Sequence, residues 1–267
     1  MTITPPTPVV APDIARLDRH DAFRLFNAEL PSMVALLESL SPAAWDKPTD
    51  CSRWSVHDVV AHLIGAFESM INPVVQLRRM RQGAHRYPEL AKLDAYNEVQ
   101  VDARRDAAPA ELVEAYARLA PKAARAALRL PGPIRRLKVS SGLPGVPRLS
   151  LGYLADIIVL RDAWMHRVDI SQAAGTPFIV GAADRVVVEQ VIRDLAVEWT
   201  GPGVVLELTG DAGGRWQLGS GPPTAAVRAD AVEYMRTLSG RHDTPDLNVT
   251  DGPPETAPLL ADARVLF

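Results

Sequence analysis

The segment SLGYLADIIVLRDAWMHRVDISQAAG, residues 150–175, is strongly apolar and has the periodicity of a buried helix. Ser150 is suited to cap its first turn, and Gly175 is suited to close its end with left-handed backbone. Asp162 lies four residues before His166, and at about 100° per residue this spacing puts the two side chains one turn apart. The segment therefore predicts a helix that presents an acid and a histidine on one side.

A second helix is predicted upstream, beginning at Ser55 and running toward Gln82. Ser55 and Asp58 form the S-x-x-D pattern of a capping box. His62 lies within the apolar run VVAHLIG, so its imidazole is expected to be at least partly buried. His57 is five residues from His62, about 140° around the helix. We therefore expect His57 to lie apart from His62, at the exposed start of the helix.

The rest of the first part of the chain also has helical spacing, with proline or turn clusters between segments. Helices are predicted over 22–40, over 90–107 and over 111–130. The stretch 131–148 contains too many glycines and prolines for a helix and predicts a long excursion. This part of the chain is therefore predicted to be all helical.

The pattern changes after residue 180. One more helix is predicted there, and short alternating segments bounded by Gly, Asp and Pro then predict a small antiparallel sheet with two further helical stretches. The helices are expected at 182–199, 230–238 and 255–261, and the strands at 204–210, 215–220 and 224–229. We therefore predict two domains, a helical one over 1–180 and an α+β one over 181–267.

Composition excludes several classes of protein. The 267 residues carry 29 Lys and Arg against 32 Asp and Glu, a net charge of −3. This balance argues against a nucleic-acid partner, and the arginines at 78, 79 and 81 are interpreted as a solvated helix face. Apolar runs are shorter than the roughly 18 residues of a membrane span, and the N-terminus lacks a secretory pattern. We expect a cytoplasmic protein without a membrane partner.

The chain has one cysteine, Cys51, which cannot form an internal disulfide and so fits a reducing compartment. It precedes the predicted second helix, where the helix dipole would favour a thiolate. The sequence places no histidine or acid beside it. We therefore expect Cys51 to be a small, buried or half-buried apolar residue.

His62, Asp162 and His166 together would make a three-ligand set, the number used by catalytic zinc sites that leave one position open. Helix bundles often build such sites from inward side chains. The alternative, that each histidine is hydrogen-bonded in a core without metal, stays open. Asp58 and Asp169 could each orient a ligand imidazole. Helix capping is the preferred role of Asp58, whereas a salt bridge with an arginine is an equal alternative for Asp169.

Three segments, 40–68, 93–105 and 160–177, resemble the mycothiol-dependent maleylpyruvate isomerase family of actinobacteria, part of the DinB-like metal-binding superfamily. The most specific motifs are W-S-V-x-D-V-V-A-H-L at 54–63 and R-D-x-W-x-H-R-x-D at 161–169. The resemblance extends in order over nearly the whole chain. It implies a DinB-like four-helix bundle followed by a small α+β domain similar to sterol carrier proteins.

The resemblance also implies a site. A divalent metal, usually zinc, would be held by His62, Asp162 and His166, although the family pattern has Glu where this sequence has Asp162. An arginine of the C-terminal domain would face the metal cleft, and Arg241 in L-S-G-R is the candidate for this catalytic role. The alternative for Arg241 is an arginine that bonds carbonyls at a helix end.

The implied function is a metal-dependent thiol transferase or isomerase that uses mycothiol against a small electrophilic metabolite. A divalent ion would hold the thiol as thiolate, its reactive form. Two alternatives stay open: a non-catalytic protein that binds an apolar small molecule, and a family fold that has lost its chemistry. Both a monomer and a homodimer are compatible with the composition.

Overall fold

The computed structural model describes residues 7–140, 146–181 and 183–267. It divides into two compact units: Asp18–Ile179 forms one, and residues 7–17 join Val180–Phe267 in the other. The helical domain was predicted to span 1–180. Residues 7–17 differ from that prediction, because they belong with the second unit. Within the described residues, no helix combines the length and apolarity needed to cross a bilayer.

Eleven α-helices and seven strands are formed by the described residues. The helices are α1 (Arg19–Ser39), α2 (Val56–Ile71), α3 (Pro73–Arg86), α4 (Lys92–Asp102), α5 (Pro109–Arg129), α6 (Gly132–Arg135), α7 (Leu151–Tyr153), α8 (Val159–Ala174), α9 (Asp184–Glu198), α10 (Ala231–Leu238) and α11 (Thr256–Asp262). The strands are β1 (Val9–Val10), β2 (Lys138–Val139), β3 (Leu149–Ser150), β4 (Val204–Thr209), β5 (Gly214–Leu218), β6 (Ala225–Asp230) and β7 (Asn248–Asp251).

The helical unit is a bundle in which α1, α2, α5 and α8 pack on one another, with the α3 and α4 pair beside α2. Its core is aliphatic and aromatic, and side chains such as Leu63, Phe67, Leu112, Tyr116 and Trp164 are at most 1% exposed. The apolar stripe of α2 therefore points at α5 and α8. This orientation turns His62 inward.

The capping box predicted for α2 is confirmed. Asp58 donates its backbone N–H to Ser55 Oγ at 3.3 Å and accepts the Ser55 N–H at 3.0 Å. The predicted continuation to Gln82 is wrong, because the helix stops at Ile71 and α3 begins at Pro73. Proline has no N–H to continue a helical ladder, and Asn72 caps the new helix by accepting the N–H of Val74 at 3.0 Å.

The helix predicted over 150–175 is present, with one irregularity. A π-helical turn, Leu154–Ile158, joins α7 to α8, and Gly175 closes α8 with φ 68°. The excursion predicted at 131–148 contains the short helix α6, and strands β2 and β3 then pair antiparallel. Its residues 141–145 lie outside the described part of the chain.

The second unit is α+β, as predicted, but its sheet is mixed rather than antiparallel. The strand order is β1-β5-β4-β6-β7, and β4 pairs antiparallel with β5 but parallel with β6. Strand β1 adds to the edge in parallel, with Val9 opposite Trp216. This pairing is the physical reason that residues 7–17 leave the bundle, since their backbone hydrogen bonds are satisfied in the second unit. A helical bundle followed by an α+β domain is therefore confirmed, whereas the all-helical expectation for the first part is wrong, because β2 and β3 pair there.

Candidate metal centre

Three polar side chains meet inside the bundle between α2 and α8. His62 comes from α2, and Asp162 and His166 come from successive turns of α8. The Asp162 carboxylate lies between the histidines, with Oδ1 at 3.3 Å from His166 Nε2 and Oδ2 at 3.7 Å from His62 Nε2. The two imidazoles are almost perpendicular, with ring centroids 5.3 Å apart. The structure thus brings together the three residues that the sequence proposed as ligands.

The Nδ1 atom of each imidazole, which is not the nitrogen nearest Asp162, is hydrogen-bonded to a carboxylate in one case and to a side-chain amide in the other. His166 Nδ1 lies 2.8 Å from Asp169 Oδ2, and His62 Nδ1 lies 2.8 Å from Gln100 Oε1. With each Nδ1–H donating to an oxygen, each Nε2 presents its lone pair to the space beside Asp162. Outer partners of this kind commonly fix the tautomer of metal-binding histidines. Asp169 therefore takes the orienting contact considered for it, and Gln100 is a partner that sequence reasoning missed.

The spacing of the donor atoms fits a small cation. One donor atom from each of the three side chains lies within 4.8 Å of the other two. Bonds of about 2.1 Å to a tetrahedral metal put neighbouring donor atoms roughly 3.4 Å apart. The distances of 3.3 and 3.7 Å at Asp162 bracket that value. Two imidazoles and a carboxylate therefore suit a divalent ion such as zinc with a position left over.

Charges in the cluster shift the pKa values of its members. Burial alone would raise the pKa of the Asp162 carboxyl, but the imidazoles of His166 and His62 hold it well below its usual range. Burial would likewise lower the pKa of His166, yet Asp162 and Asp169 raise it well above its usual value. Surroundings that favour a proton on His166 would also favour a divalent cation in its place.

The cluster is open on the side of the carboxylate. Asp162 keeps 29% of its side-chain surface exposed, whereas the side chains of His62 and His166 keep 8% and 4%. The indole of Trp54 lies against His62 with ring centroids 4.9 Å apart, and its N–H donates to Glu98 at 2.9 Å. Trp54 thus forms a wall of the cluster.

Cys51 lies closer to this cluster than the sequence indicated. Its Sγ is 3.7 Å from Asp169 Oδ2, an acid that the sequence alone did not place beside Cys51. Cys51, His166 and Asp169 even form a second group with donor atoms within 4.8 Å of one another. Cys51 and Asp169 are 118 positions apart in the chain, and no local sequence pattern relates residues that far apart.

Two other candidates lie away from the cluster. Asp58 caps α2, as preferred. His57 is not an exposed residue at the helix start, because its side chain is 15% exposed and its Nε2 lies 2.9 Å from the carbonyl oxygen of Ala107. His57 therefore anchors the segment before α5.

Arg241, the predicted catalytic arginine, belongs to the second unit and follows α10. Its backbone N–H donates to the carbonyl of Arg236 at 2.9 Å, and Gly240 before it has φ 78°. These are the features of a Schellman ending, which terminates α10 at this glycine. Arg241 is half-buried, and its role toward the cluster stays a prediction.

Comparison with known proteins gives the family. Residues 26–171 match the family model described as mycothiol maleylpyruvate isomerase N-terminal domain. A crystal structure of the mycothiol-dependent maleylpyruvate isomerase matches with a TM-score of 0.56 and 18% identity, over 90% of this chain and 96% of that chain. A mutant of that enzyme matches with a TM-score of 0.55 and 17% identity, over the same shares. At these identities the likeness concerns the fold.

No curated protein sequence matches the chain. The family model nevertheless spans residues 26–171, more than half of the chain, and includes all three clustered side chains. The chain therefore belongs to the mycothiol maleylpyruvate isomerase N-terminal domain family.

Proposed function

We propose that this protein is a metal-dependent and mycothiol-dependent thiol transferase or isomerase that acts on a small electrophilic metabolite. Membership of the family and the fold shared with a mycothiol-dependent maleylpyruvate isomerase support an enzyme of that general kind. The observation that carries the proposal is the convergence of His62, Asp162 and His166. The Nδ1 atom of each imidazole is hydrogen-bonded to a buried side-chain oxygen, which orients the ring.

Each residue has a distinct task in this proposal. With a metal in place of the proton, His62 and His166 would present Nε2 lone pairs to it, and Asp162 would supply a negative charge between them. A divalent ion, proposed to be zinc from the donor set, would lower the pKa of a coordinated thiol so that it is held as thiolate at neutral pH. Trp54 excludes water from the side of His62, while the exposed edge of Asp162 leaves a route for the thiol and the substrate. Arg241 of the second unit is the proposed catalytic arginine.

Metal content tests the proposal first. Purified protein is expected to contain about one equivalent of divalent metal by elemental analysis, and His62→Ala and His166→Ala are expected to lose it. His57→Ala is the matched control, because His57 lies on the same helix but bonds to Ala107 outside the cluster. If the two cluster variants kept metal as well as His57→Ala does, the catalytic proposal would lose its basis.

Thiol choice tests the second half of the proposal. Calorimetric titration of the metal-loaded protein is expected to give saturable binding of mycothiol and much weaker binding of glutathione. Equal or absent binding of both thiols would contradict a mycothiol-dependent activity even if the metal were present.

A non-catalytic protein that binds an apolar ligand is the alternative. The second unit has a cavity of about 410 Å³, a volume within the usual range for small ligands. Its lining includes the charged residues Arg228, Asp230, Glu233 and Asp246. An apolar ligand would desolvate these charges at a cost. The cavity therefore supports this alternative poorly.

A further inference from the structure

The two histidines of the cluster are oriented by partners of different charge. A carboxylate, Asp169, accepts from His166, whereas a neutral amide, Gln100, accepts from His62. Both partners are fully buried, each with 0% of its surface exposed. Buried groups hold their orientation because no solvent competes for their hydrogen bonds.

The position of Gln100 is fixed by a close approach of α4 to α2. A Cβ added to Gly65 would lie 2.5 Å from Gln100 Cβ and 3.3 Å from its Cα, so only glycine fits at this point of α2. Gly65 lies three residues after His62 on the same helix, and it therefore sets the depth at which the amide of Gln100 meets the imidazole. The contact is built by two helices and does not depend on a mobile loop.

The charge count of the cluster follows from this asymmetry. Asp162 and Asp169 contribute two negative charges, which equal in number the charges of one divalent cation. A third carboxylate, in place of Gln100, would add a negative charge before any thiolate arrives. Like charges at short range in a buried site repel strongly.

Resting on the proposed function, we infer that Gln100 is a positioning residue with two effects: its carbonyl fixes the Nε2 lone pair of His62 toward the metal, and its neutrality keeps the site receptive to a thiolate. The first effect requires only a hydrogen-bond acceptor. The second requires that the acceptor carry no charge. A carboxylate at this position therefore separates the two effects.

Two substitutions test the inference, and zinc affinity is measured by competition with a chromophoric chelator. Gln100→Met removes the acceptor with little change in volume and is expected to weaken zinc binding roughly 10–100-fold, the usual cost of losing an outer hydrogen-bond partner. Gln100→Glu keeps the acceptor and is expected to hold zinc at least as tightly as the wild type. The Co²⁺-loaded forms report the same difference, with an altered visible spectrum for Gln100→Met only.

The thiol arm uses the zinc-loaded Gln100→Glu protein. Mycothiol affinity is expected to fall about tenfold or more relative to the wild type, because the added charge opposes a thiolate. Gln190→Met is the control: Gln190 is a buried glutamine that bonds to Ala15 and Leu17 in the second unit, and its loss should leave zinc affinity unchanged.

Each contrary result has a definite meaning. Unchanged zinc affinity in Gln100→Met would overturn the orienting role, and so would an equal loss in Gln100→Glu, because glutamate keeps both the shape of Gln100 and its acceptor oxygen. Unchanged mycothiol affinity in Gln100→Glu would overturn the charge argument. If the wild-type protein bound zinc but not mycothiol, the proposed function would be refuted. The zinc affinities of the Gln100 variants would still test the orienting role of Gln100, so failure of the proposed function and failure of this inference are distinguishable.

Discussion

Helix propensity predicts that Gly65→Ala stabilises the protein, whereas the contacts of Gly65 in the structure predict that it destabilises the protein. Gly65 lies inside α2, where replacing glycine by alanine ordinarily stabilises a helix by about 1 kcal/mol. The new Cβ would meet Gln100 Cβ at 2.5 Å and Gln100 Cγ at 2.8 Å. Carbon atoms normally pack at about 3.5–4.0 Å, so the shortfall is about 1 Å and α4 must move.

The magnitude follows from these two opposing contributions. Overpacking of a core costs typically about 1–3 kcal/mol, and the helical gain offsets about 1 kcal/mol of it. The difference between the two contributions is a destabilisation of about 0–2 kcal/mol. Because the clash includes the Gln100 backbone, we expect the upper half of that range, about 1–2 kcal/mol. For a chain of this size that lowers Tm by roughly 2–8 °C.

Thermal unfolding of the metal-free protein, followed by circular dichroism, measures this shift. Gly132→Ala is a control in open space, where the nearest atom is Arg136 NH1 at 4.0 Å. Gly213→Ala is a control for steric damage in the second unit, since its Cβ would clash with the carbonyl oxygen of Leu208. Both Gly65→Ala and Gly213→Ala should lower Tm, but only Gly65→Ala should also weaken zinc binding. A Tm at or above the wild-type value for Gly65→Ala, or zinc affinity equal to that of Gly213→Ala, would refute the reasoning.

Three further predictions concern other contacts of the bundle. Arg167→Met should destabilise the protein by about 3–5 kcal/mol in urea denaturation, because the buried carboxylate of Glu29, 3% exposed, would lose the guanidinium bonded to it; the double variant with Glu29→Met should recover much of the loss. Burial raises the pKa of Glu68, but its two arginine partners outweigh burial and lower it, so its stabilisation is present above the ordinary carboxyl pKa and lost as pH falls through the lowered value. Tm measured against pH should therefore decline less on the acid side in Glu68→Gln than in the wild type. Asp162→Ala should weaken zinc binding by more than the roughly 10–100-fold expected for an outer partner, whereas Asp162→Glu, which restores the family pattern, should keep a measurable site in the same chelator competition.

Much of the bundle follows from local chemistry. The capping box at Ser55, the closure at Gly175 and the helical spacing of Asp162 and His166 each depend on residues within one or two turns. Such features are readable from a sequence because backbone geometry alone relates the residues. The break at Pro73 is also marked by a proline, although the predicted helix runs past it toward Gln82.

The sheet and the partners of the cluster could not be read in the same way. Alternation identified the strands β4, β5 and β6, yet it carries no information on whether β4 and β6 run parallel, nor that residues 9–10 add a strand from the other end of the chain. The orienting role of Gln100 depends on a contact between α2 and α4 across 38 positions.

By itself, the sequence determined which side chains share a helix face, because that information is periodic and local. Asp162 and His166 were bound to point the same way once their helix formed. Only the tertiary structure decided what stands opposite them: His62 at the shared carboxylate, Gln100 behind one imidazole, and Cys51 beside Asp169. These contacts arise from the packing of separate elements, where a glycine-sized gap between two helices, rather than any spacing along the chain, determines which polar groups meet.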